Sequence, residues 1–550
     1  MWYDFCEWRR RASVQRRTAP VFWRPRGREE HMVTNEPALL TERATAGERL
    51  LLVTNRGPVT YDVTRDGRLR PTRGSGGVVT ALEAVRGQRP VRWIACAMTD
   101  GDRRAAAEGL TESDGAFSQG FVVLPRDVYR KYYEVFANRV IWFLQHYLWN
   151  APYEPKIDTR MWDAWESGYV PANAAFADAV VAELERGGDA AVMLQDYHLY
   201  LTAARIRQRV PDVVLQHFTH IPWPEPRYWQ LLPQRMRRAI CESMVANDIV
   251  GLQTERDVTN FLATVYDNLP DVEVDAAASA LRYRGREIAV RAYPISVDPA
   301  RLRRVVRSAE ARRHVARLAA RAGERTIVRV DRMDPSKNIV RGFEAFDRLL
   351  RRRPEFRGRV RFLAFLVPTR EKVPAYRRYR EQVMGLIERI NTRHGRPGWQ
   401  PIEVFYENHY LQALAGMTLY DVLLVNPVLD GMNLVAKEGP IVNERAGVLI
   451  LSEGAGAHNQ LAGWALSVAP ADVEGTAETL ERALLMPRPE REARAAALRL
   501  AIEREDVQAW MRAQVEDVAR LARPGRSREA PAAAPAAPTP AAAPAAHSSV

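Results

Sequence analysis

Short, apolar, β-branched runs alternate along this chain with stretches of helical period, and the alternation comes in two sets. The first set is Leu51 to Thr54, Val91 to Cys96, Ala191 to Leu194, Val213 to Phe218, Ile249 to Leu252 and Ile288 to Tyr293. The second is Thr326 to Val330, Arg359 to Phe365, Ile402 to Phe405, Val422 to Val425 and Val448 to Leu451. Helical periods such as Met161 to Glu185 and Arg301 to Arg321 lie between them. Strands buried on both faces and joined by helices can close only as parallel sheets, so the pattern predicts an α/β fold. The sets part at Pro294 to Pro299, a Pro-bracketed turn before a long basic helix. Two doubly wound, Rossmann-like domains follow, 48–295 and 296–505, facing a central cleft with ligands at the carboxyl ends of their strands.

The 550 residues exceed what one core can organise. Residues 1–47 form an Arg-rich leader without periodicity, within which Met32 offers a second start, and 523–550 form an Ala/Pro tail; both are expected to be disordered. No run approaches the roughly 18 apolar residues of a membrane span. Cys6, Cys96 and Cys241 are far apart, which argues against a disulfide framework or zinc cluster and fits the cytoplasm. The net charge of +13 is dispersed and lacks a stacking motif, so it reads as solvated helix faces rather than a nucleic-acid surface. Five of the 80 basic residues are lysines, and Lys337 and Lys437 stand inside motifs, where a compact point charge rather than a planar fork is called for.

The most informative motif is Asp430-Gly431-Met432-Asn433-Leu434-Val435-Ala436-Lys437-Glu438, which follows a strand and opens a helix. Unpaired N–H groups near Leu434 and Val435, with the helix dipole, suit a diphosphate. Glu438, about one turn on, suits ribose hydroxyls, and Asp430 suits sugar hydroxyls; alternatively Asp430 is a turn residue and N-cap. Arg332 and Lys337, in Arg329 to Asn338, form a cationic clamp at a strand end, or an ordinary exposed loop. Thr54-Asn55-Arg56-Gly57-Pro58, and Gly74 to Gly77 after a hairpin, offer close backbone approach to phosphate. Asp196 and His198, and His217 and His220, follow buried strands and face the cleft, with no carboxylate cluster to suggest a metal; alternatively His198 or His217 is a satisfied structural histidine. The aromatic run Tyr129 to Trp149 reads mostly as core, and Arg370 ends another strand with a fork suited to phosphate.

In their order along the chain, N-R-G-P, S-G-G, Y-Y-x-x-F-x-N-x-x-x-W, D-Y-H-L, H-I-P-W-P and D-G-M-N-L-V-A-K-E resemble those of the trehalose-6-phosphate synthases, retaining GT-B glycosyltransferases of family 20. The resemblance runs from Leu51 to Leu521 and implies the following roles. Arg56, Tyr133, Trp142 and Arg370 hold the acceptor phosphate, and Asp196 contacts an acceptor hydroxyl. His220, Asp430, Met432 and Asn433 surround the donor glucose. Arg332 and Lys337 neutralise the diphosphate with help from Gly77, Leu434 and Val435, and Glu438 binds ribose. Catalysis then falls to Arg332, Lys337, Asp196, His220 and Asp430, and residues 506–522 form a last helix crossing back to the first domain.

The same resemblance implies α,α-trehalose 6-phosphate made from UDP-glucose or GDP-glucose and glucose 6-phosphate, without metal or other cofactor. The partners are these small molecules, with no nucleic acid and no membrane; homo-oligomers are compatible. Gln195 stands where many relatives have histidine, and Asn338 where glycine usually follows the lysine, which marks a divergent branch. Competing readings are a glucosylglycerol-phosphate synthase, a pseudo-glycosyltransferase joining cyclitols, and a catalytically silent regulatory subunit.

Overall fold

The computed structural model describes residues 49–73, 81–82, 90–110, 117–187 and 190–522. Its strands in chain order are β1 (Arg49–Thr54), β2 (Val59–Val63), β3 (Leu69–Arg73), β4 (Val91–Cys96), β5 (Phe117–Val122), β6 (Ala190–Gln195), β7 (Leu215–Phe218), β8 (Ile249–Leu252), β9 (Glu273–Asp275), β10 (Ala280–Tyr283) and β11 (Arg286–Ala292). There follow β12 (Arg325–Arg332), β13 (Val360–Val367), β14 (Ile402–Phe405), β15 (Val422–Val425), β16 (Val448–Ser452) and β17 (Leu466–Val468).

Two sheets carry the molecule. The first has the order β5-β4-β1-β6-β7-β8-β11-β10-β9, parallel from β5 to β11 and antiparallel beyond. The second, β14-β13-β12-β15-β16-β17, is parallel throughout. Successive residues of β1 serve opposite faces: Leu51 and Val53 enter one apolar cluster, Leu50 and Leu52 the other. Both faces are therefore covered, which is why β15 reads Val-Leu-Leu-Val with every residue buried.

The parallel part of each sheet reverses its winding once. In the first the chain runs outward from β1 through β4 to β5 and returns to β6; in the second it runs from β12 through β13 to β14 and returns to β15. At such a point the loops leaving two neighbouring strands diverge and leave a crevice, where ligands of open α/β sheets bind. The loops in question carry Asn55 and Arg56 beside Asp196, and Arg332 beside Asp430.

The chain passes from one sheet to the other through 293–298. Three alternate carbonyls of that extended segment accept hydrogen bonds: Tyr293 from Trp510 Nε1 at 3.1 Å, Ile295 from Lys437 Nζ at 2.9 Å and Val297 from Val507 N at 2.9 Å. The last helix, Val507–Ala522, also reaches the first sheet through Gln514, which accepts from Gln216 Nε2 at 3.0 Å, and through Asp517, which accepts from Tyr293 OH at 2.6 Å.

The strands differ from expectation at the edges: β5, β9, β10 and β17 were not anticipated. The expected helix Arg301 to Arg321 is two, Pro299–Val306 and Ala309–Ala319, because the Ser308 side chain accepts from Ala311 N and starts a new helix. Among the described residues no helix is long and apolar enough to cross a membrane.

Candidate active site

Four non-glycine residues adopt positive φ just beyond strands that flank the two reversals: Asp196 (71°), Asn338 (56°), Arg370 (47°) and Asn433 (71°). Left-handed backbone costs a side-chain-bearing residue about 1–2 kcal/mol. Such strain persists where surrounding bonds overdetermine it, and it gathers at functional sites.

Arg370 shows how the bonds do so. Its guanidinium donates to Tyr376 OH at 2.6 Å, to Tyr197 OH at 3.1 Å and to Asp334 Oδ2 at 3.3 Å, and its Cζ lies 3.9 Å from the Trp142 ring centroid. Asp334 also accepts from Tyr376 OH at 2.9 Å and from Ser336 N at 3.0 Å. Burial opposes the Asp334 carboxylate, but Arg370, Arg332 and His146 outweigh it and hold it down at about 2. Arg332 approaches the same indole, its Cζ 4.9 Å from the centroid. Two cations thus approach one indole ring, while the buried Trp142 Nε1 has no hydrogen-bond partner. Two cations and a spare donor in one place call for an anion.

Trp142 is set by an unusual helix. Residues Arg130–Ile141 wind as a π-helix between the α-helical turns Arg126–Tyr129 and Trp142–Gln145. The wider i→i+5 winding turns side chains away from α register, a device frequent at functional sites. It lets Tyr133 stack on the His198 ring (5.6 Å, 15°) while Asn138 accepts from Tyr197 OH at 2.6 Å. Arg56 is exposed at the end of β1.

A second group centres on the 430–438 loop. Lys337 Nζ pairs with Asp430, which also accepts from Asn433 Nδ2 at 3.1 Å. Burial works against the Asp430 carboxylate, and Lys337 overrides it, holding the group below its ordinary range. Asp430 does not cap the helix: that helix is Val435–Val442 with Leu434 at its N-cap. Ala436 N donates to Asn433 Oδ1 at 3.3 Å and Lys437 N to the Leu434 carbonyl at 2.9 Å, so the N–H groups left for an anion are those of Leu434 and Val435. Met432 is buried, and burial pushes Glu438 up to about 7, with Tyr410 pulling the other way.

His220 and Asp196 face this loop from the first sheet. Asp196 accepts from His220 N at 3.1 Å; burial pushes its carboxyl up to about 6, against Tyr197 N, His220 N, Arg332 and Arg370. Burial drops His220 to about 3, so its ring is neutral. With Nε2 bonded to Gln195 Oε1 at 2.9 Å, buried Nδ1 is left without a partner. A Cβ on Gly431 would lie 2.2 Å from the His220 carbonyl oxygen, so the loop comes this close because position 431 has no side chain.

The structure therefore gathers Arg332, Arg370, Trp142 and Tyr133 at one pole and Lys337, Asp430, Met432, Asn433, Leu434, Val435 and Glu438 at the other, with Asp196 and His220 between. Gly77 lies outside the described residues. His217 does not face the cleft: it is wholly buried, with Nε2 3.2 Å from the Asp196 carbonyl. Asp334, Tyr376 and Tyr197, which organise Arg370, were missed. The signal for Asp334 was an acid directly before Pro335 at a strand end; Tyr376, at the start of helix Pro374–His394, gave none. Among the described residues no three His, Cys, Asp or Glu are grouped to hold a metal.

A bifunctional trehalose-6-phosphate synthase/phosphatase of Thermoproteus tenax is 35% identical over 478 residues, 84% of this chain. The chain spans 62% of that relative's length, 61% of a UDP-forming α,α-trehalose-phosphate synthase of Dictyostelium discoideum and 54% of a probable one of Arabidopsis thaliana. A trehalose-6-phosphate enzyme from E. coli bound with UDP-2-fluoro glucose superposes with a TM-score of 0.74 at 28% identity, covering 86% of this chain and 99% of that one. A UDP-forming α,α-trehalose-phosphate synthase from Burkholderia xenovorans in complex with glucose-6-phosphate gives 0.74 at 29%, with the same coverage. The fold they share with this chain is GT-B. The sequence profile of one family matches residues 48–520, from the first strand to the last helix and through every loop described above, and the chain belongs to that family, glycosyltransferase family 20.

Proposed function

We propose that the protein is a retaining glucosyltransferase that makes α,α-trehalose 6-phosphate from a nucleoside-diphosphate glucose and glucose 6-phosphate. The observation that carries this reading is the pair of guanidiniums over Trp142, set next to the Lys337–Asp430 pair. One anion site for a sugar phosphate thus adjoins one cation at a helix start suited to a diphosphate. The relatives of known ligand point the same way, one bound with UDP-2-fluoro glucose and one with glucose-6-phosphate.

In this reading Arg370, Trp142, Tyr133 and Arg56 fix the acceptor phosphate, and Asp196 accepts from an acceptor hydroxyl. Nδ1 of neutral His220, Asp430 and Asn433 take donor-glucose hydroxyls beside Met432, and Glu438 takes ribose hydroxyls. Lys337, Arg332 and the helix start at Leu434 and Val435, with Gly77, hold the diphosphate. The bond from the anomeric carbon to the diphosphate oxygen breaks through an oxocarbenium-like state. The departing oxygen takes the acceptor hydroxyl's proton, and the acceptor oxygen bonds to the same face. Charge on the leaving group is met by Lys337 and Arg332 rather than by a metal or other cofactor. The free, buried Cys96 and Cys241 accord with a reducing cytoplasm.

A matrix of purified protein with UDP- and GDP-glucose against glucose 6-phosphate, glycerol 3-phosphate and a cyclitol phosphate, read by product mass, tests the proposal. Trehalose 6-phosphate as the preferred product is expected. Preference for another acceptor would make the chain a glucosylglycerol-phosphate synthase or a cyclitol-joining enzyme, and no product from any pair would overturn the reading.

A further inference from the structure

Lys437 belongs to the strongest sequence motif but takes no part in the chemistry above. It is wholly buried in the first turn of helix Val435–Val442, in a chain that uses arginine almost everywhere else. Burial pulls its ammonium down to about 7 against the pull of Glu505, so keeping a lysine here is costly. Its Nζ donates to the Ile295 carbonyl at 2.9 Å.

The far side of Ile295 explains the use of that bond. Ile295 N donates to Gln253 Oε1 at 3.0 Å, and Gln253 Nε2 donates to the His220 carbonyl at 3.3 Å. His220 in turn donates its N–H to Asp196 Oδ1 at 3.1 Å and meets Gln195 through its ring. One residue of the crossover, Ile295, thus has its N–H committed to the first sheet's loops and its C=O to the helix of the 430–438 loop. Gln253, at 1% exposure, must be an amide to accept from one side and donate to the other. An arginine fork in place of Lys437 would not fit a single buried carbonyl.

We propose that Lys437 and Gln253 are positioning residues that couple the diphosphate-binding helix, through the Ile295 backbone, to His220 and Asp196, and so hold donor and acceptor loops in reacting register. This rests on the transferase reading for its kinetic readout. Misplacement by a fraction of an ångström costs turnover far more than it costs binding of either substrate by its phosphates.

The test compares Lys437→Met, which keeps the stem, and Gln253→Glu, which keeps the outline but loses the donor, with the double variant, each confirmed folded by circular dichroism. Expected is a fall in kcat of about tenfold or more in each single variant, with donor KM and UDP affinity changed less than about threefold. Because both act through the backbone of one residue, the double variant should be no worse than the weaker single one. Losses in kcat that multiply, or single variants within about threefold of the parent, overturn the coupling. If the parent transfers no glucose at all, the transferase reading fails instead. Hydrogen exchange at the Ile295 amide then decides: slow in the parent and fast in Gln253→Glu supports the joint, and equal rates refute it.

Discussion

Asp196 stands between His220 and the cationic pole, where the proposed reading puts the acceptor hydroxyl, and its carboxyl, lifted to about 6 by burial, titrates within the working range of an enzyme. The ionised carboxylate accepts the acceptor hydroxyl's hydrogen bond more strongly than the protonated acid does, so kcat/KM for the phosphorylated acceptor should fall as pH drops through about 6. The acceptor phosphate itself titrates near pH ~6. Asp196→Asn separates the two, because it should be slow throughout and keep the phosphate limb alone. An unchanged two-proton limb in that variant would remove Asp196 from the role.

Asn338 explains a departure from the family pattern at the same scale. Its left-handed φ of 56° is one glycine adopts freely and asparagine tolerates, and its Nδ2 donates to Asn426 O at 2.9 Å and Pro470 O at 2.7 Å. Asn338→Gly keeps the backbone and loses those bonds, at about 1–2 kcal/mol. Asn338→Ala adds strain of about 1–2 kcal/mol more. Urea unfolding should rank parent, then Gly, then Ala; Ala equal to Gly would mean the backbone carries no strain there.

Among the elements, the strand ends at the two winding reversals matter most, and Lys337 is their sharpest test. Lys337→Ala should lower kcat by a factor of about 10² to 10³ with saturating substrates, as for loss of one preorganised charge at a developing anion. A loss below about tenfold would remove it from the clamp. Central strands were legible because a strand covered on both faces must be continuously apolar, as in β8 and β15. Among the edge strands β14 was legible but β5, β9 and β17 were not: β5 reads Phe-Ser-Gln-Gly-Phe-Val and β9 Glu-Val-Asp, where half-exposed faces admit polar residues and dilute the period. The π winding at Arg130–Ile141 was hidden too, because aromatic spacing alone does not separate i+4 from i+5 neighbours.

For the molecule as a whole, the Pro-bracketed crossover was readable as a break, since prolines at 294 and 299 end one strand and start one helix. The bonds that discipline it were not, because Gln253, Lys437 and Trp510 come from three distant stretches and meet only after folding. The absent side chain at Gly431 has a practical corollary. Its neighbour across the gap is a backbone oxygen 2.2 Å from where a methyl would go, and backbone cannot step aside as a flexible side chain can. Gly431→Ala should therefore act as a doorstop that wedges the two halves ajar: solution scattering should give a larger radius of gyration with UDP bound than for the parent, and glucose transfer should nearly cease. A trapped open form of this kind would let each substrate be weighed on its own half before the halves ever meet.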